Sequence, residues 1–397
     1  MAHTQQGHVR KRKDGLWEGQ YVFQKQKRSI YGETEIEARK MLEEIIHSIN
    51  IGEYIRPNEH TVSSWLNECL DTYAKSSLRP STFVSYELYI KKHISPALGN
   101  VLLKNVSVRA LQSFFNKKLI GGRCDKKKGG LSPKTLKNIK YMLDVAFSQA
   151  YYNRIIPFNP IEGVRLPVPA GPEQKVLDSS EKDMLFQAAQ FHHTTIAKGL
   201  VILLNCGLRK GELLGLQWEN INFDENYMRV KDTLARLPHF EITSATQGFI
   251  RIDTYQSKRI KTGIYLGPVK KKANRIIYLP ESVRRALIEL REIQISYRNK
   301  FIGGDFNPFG FVLCTENGLP IDPKTFEEKF RGFVHESKVK DINIHATRHT
   351  FATEALNKSS DLITISEILG HAKPSTTLDM YGHTFDSRKR SLMALFD

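Results

Sequence analysis

The sequence predicts a multidomain protein that is mainly α with small β elements: an N-terminal three-stranded sheet plus helix, an all-helical domain, and a mixed α/β domain. Three observations carry that expectation. A chain of 397 residues with 40% hydrophobic composition is too long for one ordinary core. The hydrophobic spacing changes along the chain, from alternation before residue 32 to helical intervals between about 60 and 156, and then to a mixture of both. Between the second and third regions lies PFNPIEGVRLPVPAGPEQK, with prolines at 157, 160, 167, 169 and 172, where each ring removes a backbone donor and restricts its predecessor. The expected divisions are therefore 1–56, 57–156, a semi-extended linker over 157–175, and 176–397.

In the first region Trp17, Gly19, Tyr21 and Phe23 share one face of a strand, with turns expected near Asp14-Gly15 and Lys25-Gln26. Thr34 and Glu37 have capping-box spacing, and Ala38, Met41, Leu42, Ile45 and Ile49 follow at helical intervals. A helix should therefore cover that sheet face. The other face is expected to carry Arg10, Arg12, Lys25, Lys27 and Arg28, a pattern that fits either a solvated basic surface or a sheet that enters a DNA major groove.

The second region reads as four helical segments. Thr61 opens one through Trp65, Leu66, Cys69, Leu70 and Tyr73; Pro80-Ser81-Thr82 opens the next; Leu111, Phe114, Phe115 and Leu119 mark a third. Ser132-Pro133 starts the fourth, with Ser as cap and Pro at the first helical position, and it runs through Ile139, Leu143, Ala146 and Phe147. Lys126, Lys127 and Lys128 lie in the loop before it, which suits phosphate contact and plain solvation equally.

A net charge of +17 favours a polyanionic partner, because neutralising phosphates releases counterions. The four cysteines lie far apart with no CxxC pair, so neither a zinc site nor a disulfide framework is suggested and a reducing cytoplasm, bacterial and DNA-associated, fits best. The N-terminus lacks an apolar signal core, and no apolar run approaches the ~20 residues that span a bilayer.

The chemically suggestive clusters all fall in the last region: NCGLRKGELLGLQW (205–218), GPVKKKANRIIYLP (267–280), NIHATRHTFATEAL (343–356) and LGHAKPSTTLDMYGH (369–383). Each alone has a dull explanation, such as an i,i+3 pair of Arg209 with Glu212. Together they resemble the catalytic signature of the tyrosine recombinases of phages and conjugative transposons. That signature is an Arg with a carboxylate three residues on, a hairpin Lys, His-x-x-Arg, Leu-Gly-His, and a nucleophilic Tyr ten residues later. The layout of small basic sheet, helical domain, linker and final domain also looks like integrases that bind two kinds of DNA site.

The resemblance implies a site-specific recombinase that cleaves and rejoins DNA through a 3′-phosphotyrosine at Tyr381. A tyrosine hydroxyl with an ordinary pKa of ~10 is a poor nucleophile, and the phosphorus it attacks is ringed by negative oxygens, so cations must be waiting. Arg209 and Arg348 present planar donor forks to the non-bridging oxygens. His345, three residues before Arg348, hydrogen-bonds phosphate or helps take the tyrosine proton, and His371 is a candidate for a further phosphate contact. The family places its general-acid lysine just ahead of a tight turn. Lys270 fits best, with Lys271 and Lys272 as substitutes, although the stretch from Thr233 to Gly267 is longer than the usual connection. Glu212 is expected to hold Arg209 or a histidine in place.

No cofactor is implied, since the phosphotyrosine bond conserves the phosphodiester energy; neither a GxxxxGK[ST] loop nor an obvious two-metal carboxylate set is present. Expected partners are double-stranded DNA at core and arm-type sites and further copies of the chain, as a tetramer on DNA. A small excision factor and a DNA-bending protein are further expected partners. The apolar tail with Leu392, Met393, Leu395 and Phe396 fits docking on its own core or on a neighbouring protomer. Two other functions share parts of this pattern: a type IB topoisomerase-like relaxing enzyme and a catalytically silent DNA-binding regulator.

Overall fold

The computed structural model describes residues 7–23, 25–50, 60–125, 127–168, 176–238, 246, 248–252, 262–270, 274–359, 361–371 and 373–381. Two compact units divide the chain, Met1–Ala170 and Gly171–Asp397.

The first unit begins with an antiparallel sheet in the order β1 (His8–Lys11), β2 (Trp17–Phe23), β3 (Gln26–Gly32). Tyr21 on β2 packs with Leu42 of helix α1 (Glu35–Asn50), and Val9, Phe23, Ile30, Ile45, Ile46 and Ile49 close around them. Thr34 caps α1 by accepting from the Glu37 amide at 3.2 Å. The Glu37 carboxylate accepts from the Glu33 amide at 3.0 Å instead of from the cap's own, one residue off the expected reciprocal box.

Helices α2 (Val62–Cys69), α3 (Pro80–Tyr89), α4 (Ser95–Leu98), α5 (Val108–Gly121) and α6 (Pro133–Tyr152) form the rest of this unit. Both α2 and α3 run on into single π-type turns, Leu70–Ala74 and Ile90–Ile94. The caps are those the sequence announces: Thr61 and Ser64 satisfy each other's backbone donors, and Ser132 accepts from the Thr135 amide ahead of Pro133. The core is built on Trp65, Leu111, Phe115, Ile139, Leu143 and Phe147. Each such side chain contributes about 2–3 kcal/mol on burial, and the Trp65 indole also donates to the Ala146 carbonyl at 2.9 Å. Ile156, Ile161 and Val164 belong to the same core, so the proline-rich segment starts as packed chain. Pro169 and Pro172 lie outside the described residues.

In the second unit, helix α8 (Thr195–Cys206) is buried along almost its whole length, packed by α7 (Ser179–Phe191), α10 (Glu281–Lys300) and α11 (Pro323–Glu336). Even Lys198 is enclosed there, with its ammonium on the Gln190 carbonyl and the Glu289 carboxylate, both at 2.6 Å. A buried ammonium needs such partners to remain charged.

Two small sheets follow the short helix α9 (Lys210–Leu214): β4 (Ile221–Asn222), β5 (Tyr227–Val230) and β9 (Arg275–Tyr278), and β6 (Asp232–Pro238), β8 (Thr262–Pro268) and β7 (Ile250–Arg251). They are joined as one ribbon. Val230 pairs with Arg275, Asp232 pairs with Pro268, and the Val269 amide donates to the Lys231 carbonyl between them. Within the long connection of the sequence, 233–267, the described strands β6, β7 and β8 form the outer half of this ribbon, with a small cluster of Leu237, Phe249 and Tyr265. Helices α12 (Ile344–Lys358), α13 (Leu362–Leu369) and α14 (Pro374–Tyr381) complete the described chain. No described helix is long and apolar enough to cross a membrane.

Candidate active site

Helix α8 ends on Gly207, whose φ of 60° is left-handed; a Cβ there would lie 2.4 Å from Phe351. This turn brings Arg209 to the start of α9. The Arg209 amide donates to Glu212 Oε2 at 3.0 Å, and its Nη1 donates to Glu212 Oε1 at 2.6 Å. Glu212 is buried, and its Oε2 also receives Nη2 of Arg275 at 2.9 Å. Burial pushes the Glu212 carboxyl up, but Arg275 and Arg209 more than offset it, so it lies below the usual carboxylate range.

Arg348 is buried at 3% exposure on α12. Its Nη1 donates to the Gly207 carbonyl at 2.7 Å and its Nη2 to the Leu369 carbonyl at 2.5 Å, so one guanidinium joins the C-terminal ends of α8 and α13. Helix α13 also ends on a left-handed glycine, Gly370, at φ 65°. Its last carbonyls attract two more arginines: Nε of Arg275 donates to Ile368 at 2.5 Å and Nη2 of Arg209 to Gly370 at 3.3 Å. Cations at a helix C-terminus are favoured by the dipole and by the unsatisfied carbonyls. Three guanidiniums thus converge at the end of α13, two of them on the Glu212 carboxylate, which leaves positive charge in excess there.

His371 follows Gly370 directly. Its Nδ1 lies 2.7 Å from Thr377 Oγ1 of α14, and Thr377 lies 2.8 Å from Ser366 Oγ, which donates to the Leu362 carbonyl. The chain fixes the imidazole ring and ties α13 to the helix whose last residue is Tyr381. Burial first, and then Arg348, Arg209 and Arg275, push His371 down to about 4. His349 is held near about 4 by burial, by His345 and by Arg348. His345 is exposed, and its ring meets His349 edge-on with centroids 5.0 Å apart.

Arg209, Glu212, Arg348 and His371 are therefore gathered around the end of α13. Lys270 is exposed, two residues past the end of β8 and next to Val269, whose amide donates to the Lys231 carbonyl. Tyr381 is the last residue of α14. The side chain of Tyr381 lies outside the described residues, as do Lys126, Lys271, Lys272 and the tail from residue 382 onward. Lys127 and Lys128 are exposed in the loop before α6.

On the N-terminal sheet the structure separates the expected basic residues. Register places Arg10 opposite Glu18, and Lys27 opposite Val22, on the outer face, but it pairs Arg28 with Tyr21. Arg28 therefore belongs to the helix-facing side, since adjacent strand residues point to opposite faces. Its Nη2 donates to Gln26 at 3.2 Å. Lys25 is in the turn with φ 64°, and Arg12, beyond β1, stacks over Tyr31 and pairs with Asp14 at 3.1 Å. The outer face also holds Glu18, which accepts from Arg10, Gln20 and Ser29. Ser29 and Arg10 above all hold its carboxyl down to about 2.

Arg275, His349 and Thr377 were not singled out from the sequence. For Arg275 a signal existed. In Arg275-Ile276-Ile277-Tyr278 the alternation puts Arg275 on the face of the buried Ile277, and an arginine on a buried face needs a carboxylate.

Comparison with known proteins places this geometry in context. Residues 175–388, more than half the chain, match the phage integrase family, and residues 61–119 match the phage integrase N-terminal SAM-like domain. A XerC-like tyrosine recombinase of Caldanaerobacter subterraneus is 27% identical over 373 residues, covering 91% of this chain and 89% of that protein. The ICEBs1 integrase of Bacillus subtilis is 24% identical, covering 80% of this chain and 78% of its own length. Among solved structures, the Tn1549 transposon integrase in complex with transposon right end DNA is similar with a TM-score of 0.66 at 22% identity, covering 85% of this chain and 100% of that one. A lambda integrase tetramer bound to a Holliday junction is similar with a TM-score of 0.55 at 17% identity, covering 94% of each chain.

Proposed function

Because the chain belongs to the phage integrase family and is a tyrosine recombinase, an enzyme that cleaves and rejoins DNA at specific sites, we propose that Tyr381 is its nucleophile and that Arg209, Arg348 and His371 hold the scissile phosphate. The observation that carries this reading is the meeting of Arg209, Arg275 and Arg348 at the end of α13, where the first two share the carboxylate of Glu212. In the step proposed, the tyrosine oxygen bonds to phosphorus, the bond to the 5′ oxygen breaks, and the 3′ phosphate remains on the enzyme. Arg209 and Arg348 stabilise the charge that develops on the non-bridging oxygens. Lys270 gives a proton to the departing oxygen, and His345 helps take the tyrosine proton. Glu212 positions Arg209.

We assign double-stranded DNA as the substrate and a tetramer as the working assembly. In support, a similar transposon integrase was solved on transposon end DNA and a similar lambda integrase as a tetramer on a Holliday junction. Residues 57–156 serve core sites and residues 1–56 a second, arm-type set, which separates this reading from that of a relaxing enzyme with one protomer and one site. The test is covalent trapping on a nicked suicide substrate. Wild type gives a protein–DNA adduct that survives denaturing electrophoresis and forms in EDTA; Tyr381→Phe gives none while still binding core DNA. An adduct in the variant overturns the assignment of Tyr381.

A further inference from the structure

The ion pair between Arg209 and Glu212 presents a physical problem. A carboxylate that accepts both the guanidinium and the amide of Arg209 cancels much of the charge that Arg209 would offer a phosphate. The neighbour that changes this balance is Arg275, on β9, which lies within the 267–280 stretch but is not one of the signature residues. Its Nη2 shares Glu212 Oε2 at 2.9 Å and its Nε holds the Ile368 carbonyl at 2.5 Å, with only 6% of its side chain exposed. Without Arg275 the pair Arg209–Glu212 is neutral; with it the trio carries one net positive charge.

We propose that Arg275 is a positioning residue for DNA cleavage, one that sets the charge of the phosphate site by occupying Glu212 and so leaves Arg209 electrostatically free, without itself touching the substrate. This rests on the reading that Arg209 contacts the scissile phosphate. The side chains divide the work by exposure: Arg209, 37% exposed, is open to a ligand, whereas Arg275 is enclosed. Its second hydrogen bond fixes it to the last turn of α13, just before Gly370 and His371, and keeps the counter-charge in register with the site. A role of this kind is read from charge, whereas a simple brace is read from shape.

The experiment is single-turnover cleavage of a suicide substrate by Arg275→Gln, Arg275→Lys, Glu212→Gln and the Arg275→Gln/Glu212→Gln double variant, with core DNA binding and thermal melting as checks of folding. Arg275→Gln is expected to cleave on the order of 10–100-fold slower, below the loss for a donor that touches the phosphate. Its deficit should widen as pH rises, because the unshared Glu212 carboxyl ionises and then neutralises Arg209. Arg275→Lys should keep most of the rate, and the double variant, with both charges removed, should regain at least tenfold over Arg275→Gln. Equal slowness of the single and double glutamine variants, loss of rate in Arg275→Lys to the same level, or a wild-type rate in Arg275→Gln each overturns the proposal. If Arg275→Gln does not fold, the lysine and double variants decide on the same criteria. Arg209→Ala and Tyr381→Phe run in parallel: cleavage surviving in either means that the active-site reading itself has failed, independently of Arg275.

Discussion

The N-terminal sheet and the α13 end of the second unit are both basic, and they handle their arginines in opposite ways. On the sheet, Arg10 is 59% exposed and faces its own carboxylate, Glu18, one for one. Around α13, Arg209 and Arg275 share the Glu212 carboxylate, whereas Arg348, with 3% exposure, donates to the Gly207 and Leu369 carbonyls. A cation held by a carboxylate gives up its charge locally. A cation held by neutral carbonyls is fixed in place and keeps it. The first arrangement suits a surface that meets a partner and exchanges ions with salt water; the second suits a site that must stabilise a charge appearing only in a transition state.

The comparison breaks most sharply at Arg348. Replacing it by Ala should slow cleavage on the order of 10³-fold, and should destabilise the fold by about 3 kcal/mol or more, because the Gly207 and Leu369 carbonyls lose their donor. Covalent trapping and urea denaturation measure the two effects. Arg348→Lys should recover neither in full, since one ammonium cannot span both carbonyls; full recovery would mean that charge alone matters there.

A smaller effect is expected from Lys270, which is exposed and outside the arginine cluster. Lys270→Ala should cleave about 10²-fold slower. A 5′-bridging phosphorothiolate, whose sulfur leaves without a proton, should restore the rate. Rescue of a Lys271 or Lys272 variant in its place would move the acid along the chain.

The histidines sharpen the contrast through pH. His371 and His349 are both held near about 4, well below the ordinary 6.5, so the unfolded chain takes up protons that the folded one refuses. Stability is fully present above pH 6.5 and should fall as pH drops from there toward 4, where it levels off. Thermal melting across that window should show the loss, and His371→Gln should flatten it; an unchanged slope would separate His371 from the effect. Glu18 works with the opposite sign. With its carboxyl held at about 2, its contribution is present above the usual carboxylate range and is lost as pH falls toward 2.

The smallest change is expected on the sheet. Glu18→Gln releases Arg10 from its carboxylate, so binding to arm-type DNA should gain about one unit of salt slope, measured by titrating affinity against ionic strength. Core-site cleavage should not change. An unaltered slope would show that Arg10 does not meet phosphate.

Much of this protein was legible in one dimension because the physics involved is local. Caps at Thr61 and Ser132 act within one turn, the alternation of Trp17, Gly19, Tyr21 and Phe23 fixes a face by pleat geometry alone, and Arg209 meets Glu212, three residues on, across a single turn. Where a local rule was misapplied, at Arg28, the register corrected it by the same period of two. Only the tertiary structure decided what each charge rests against. Arg275 and Glu212 are 63 residues apart, Arg348 and Gly207 are 141 apart, and Lys270 stands two residues past the end of β8. Electrostatic work depends on distance, burial and the number of shared acceptors, and none of these is written in the order of the residues.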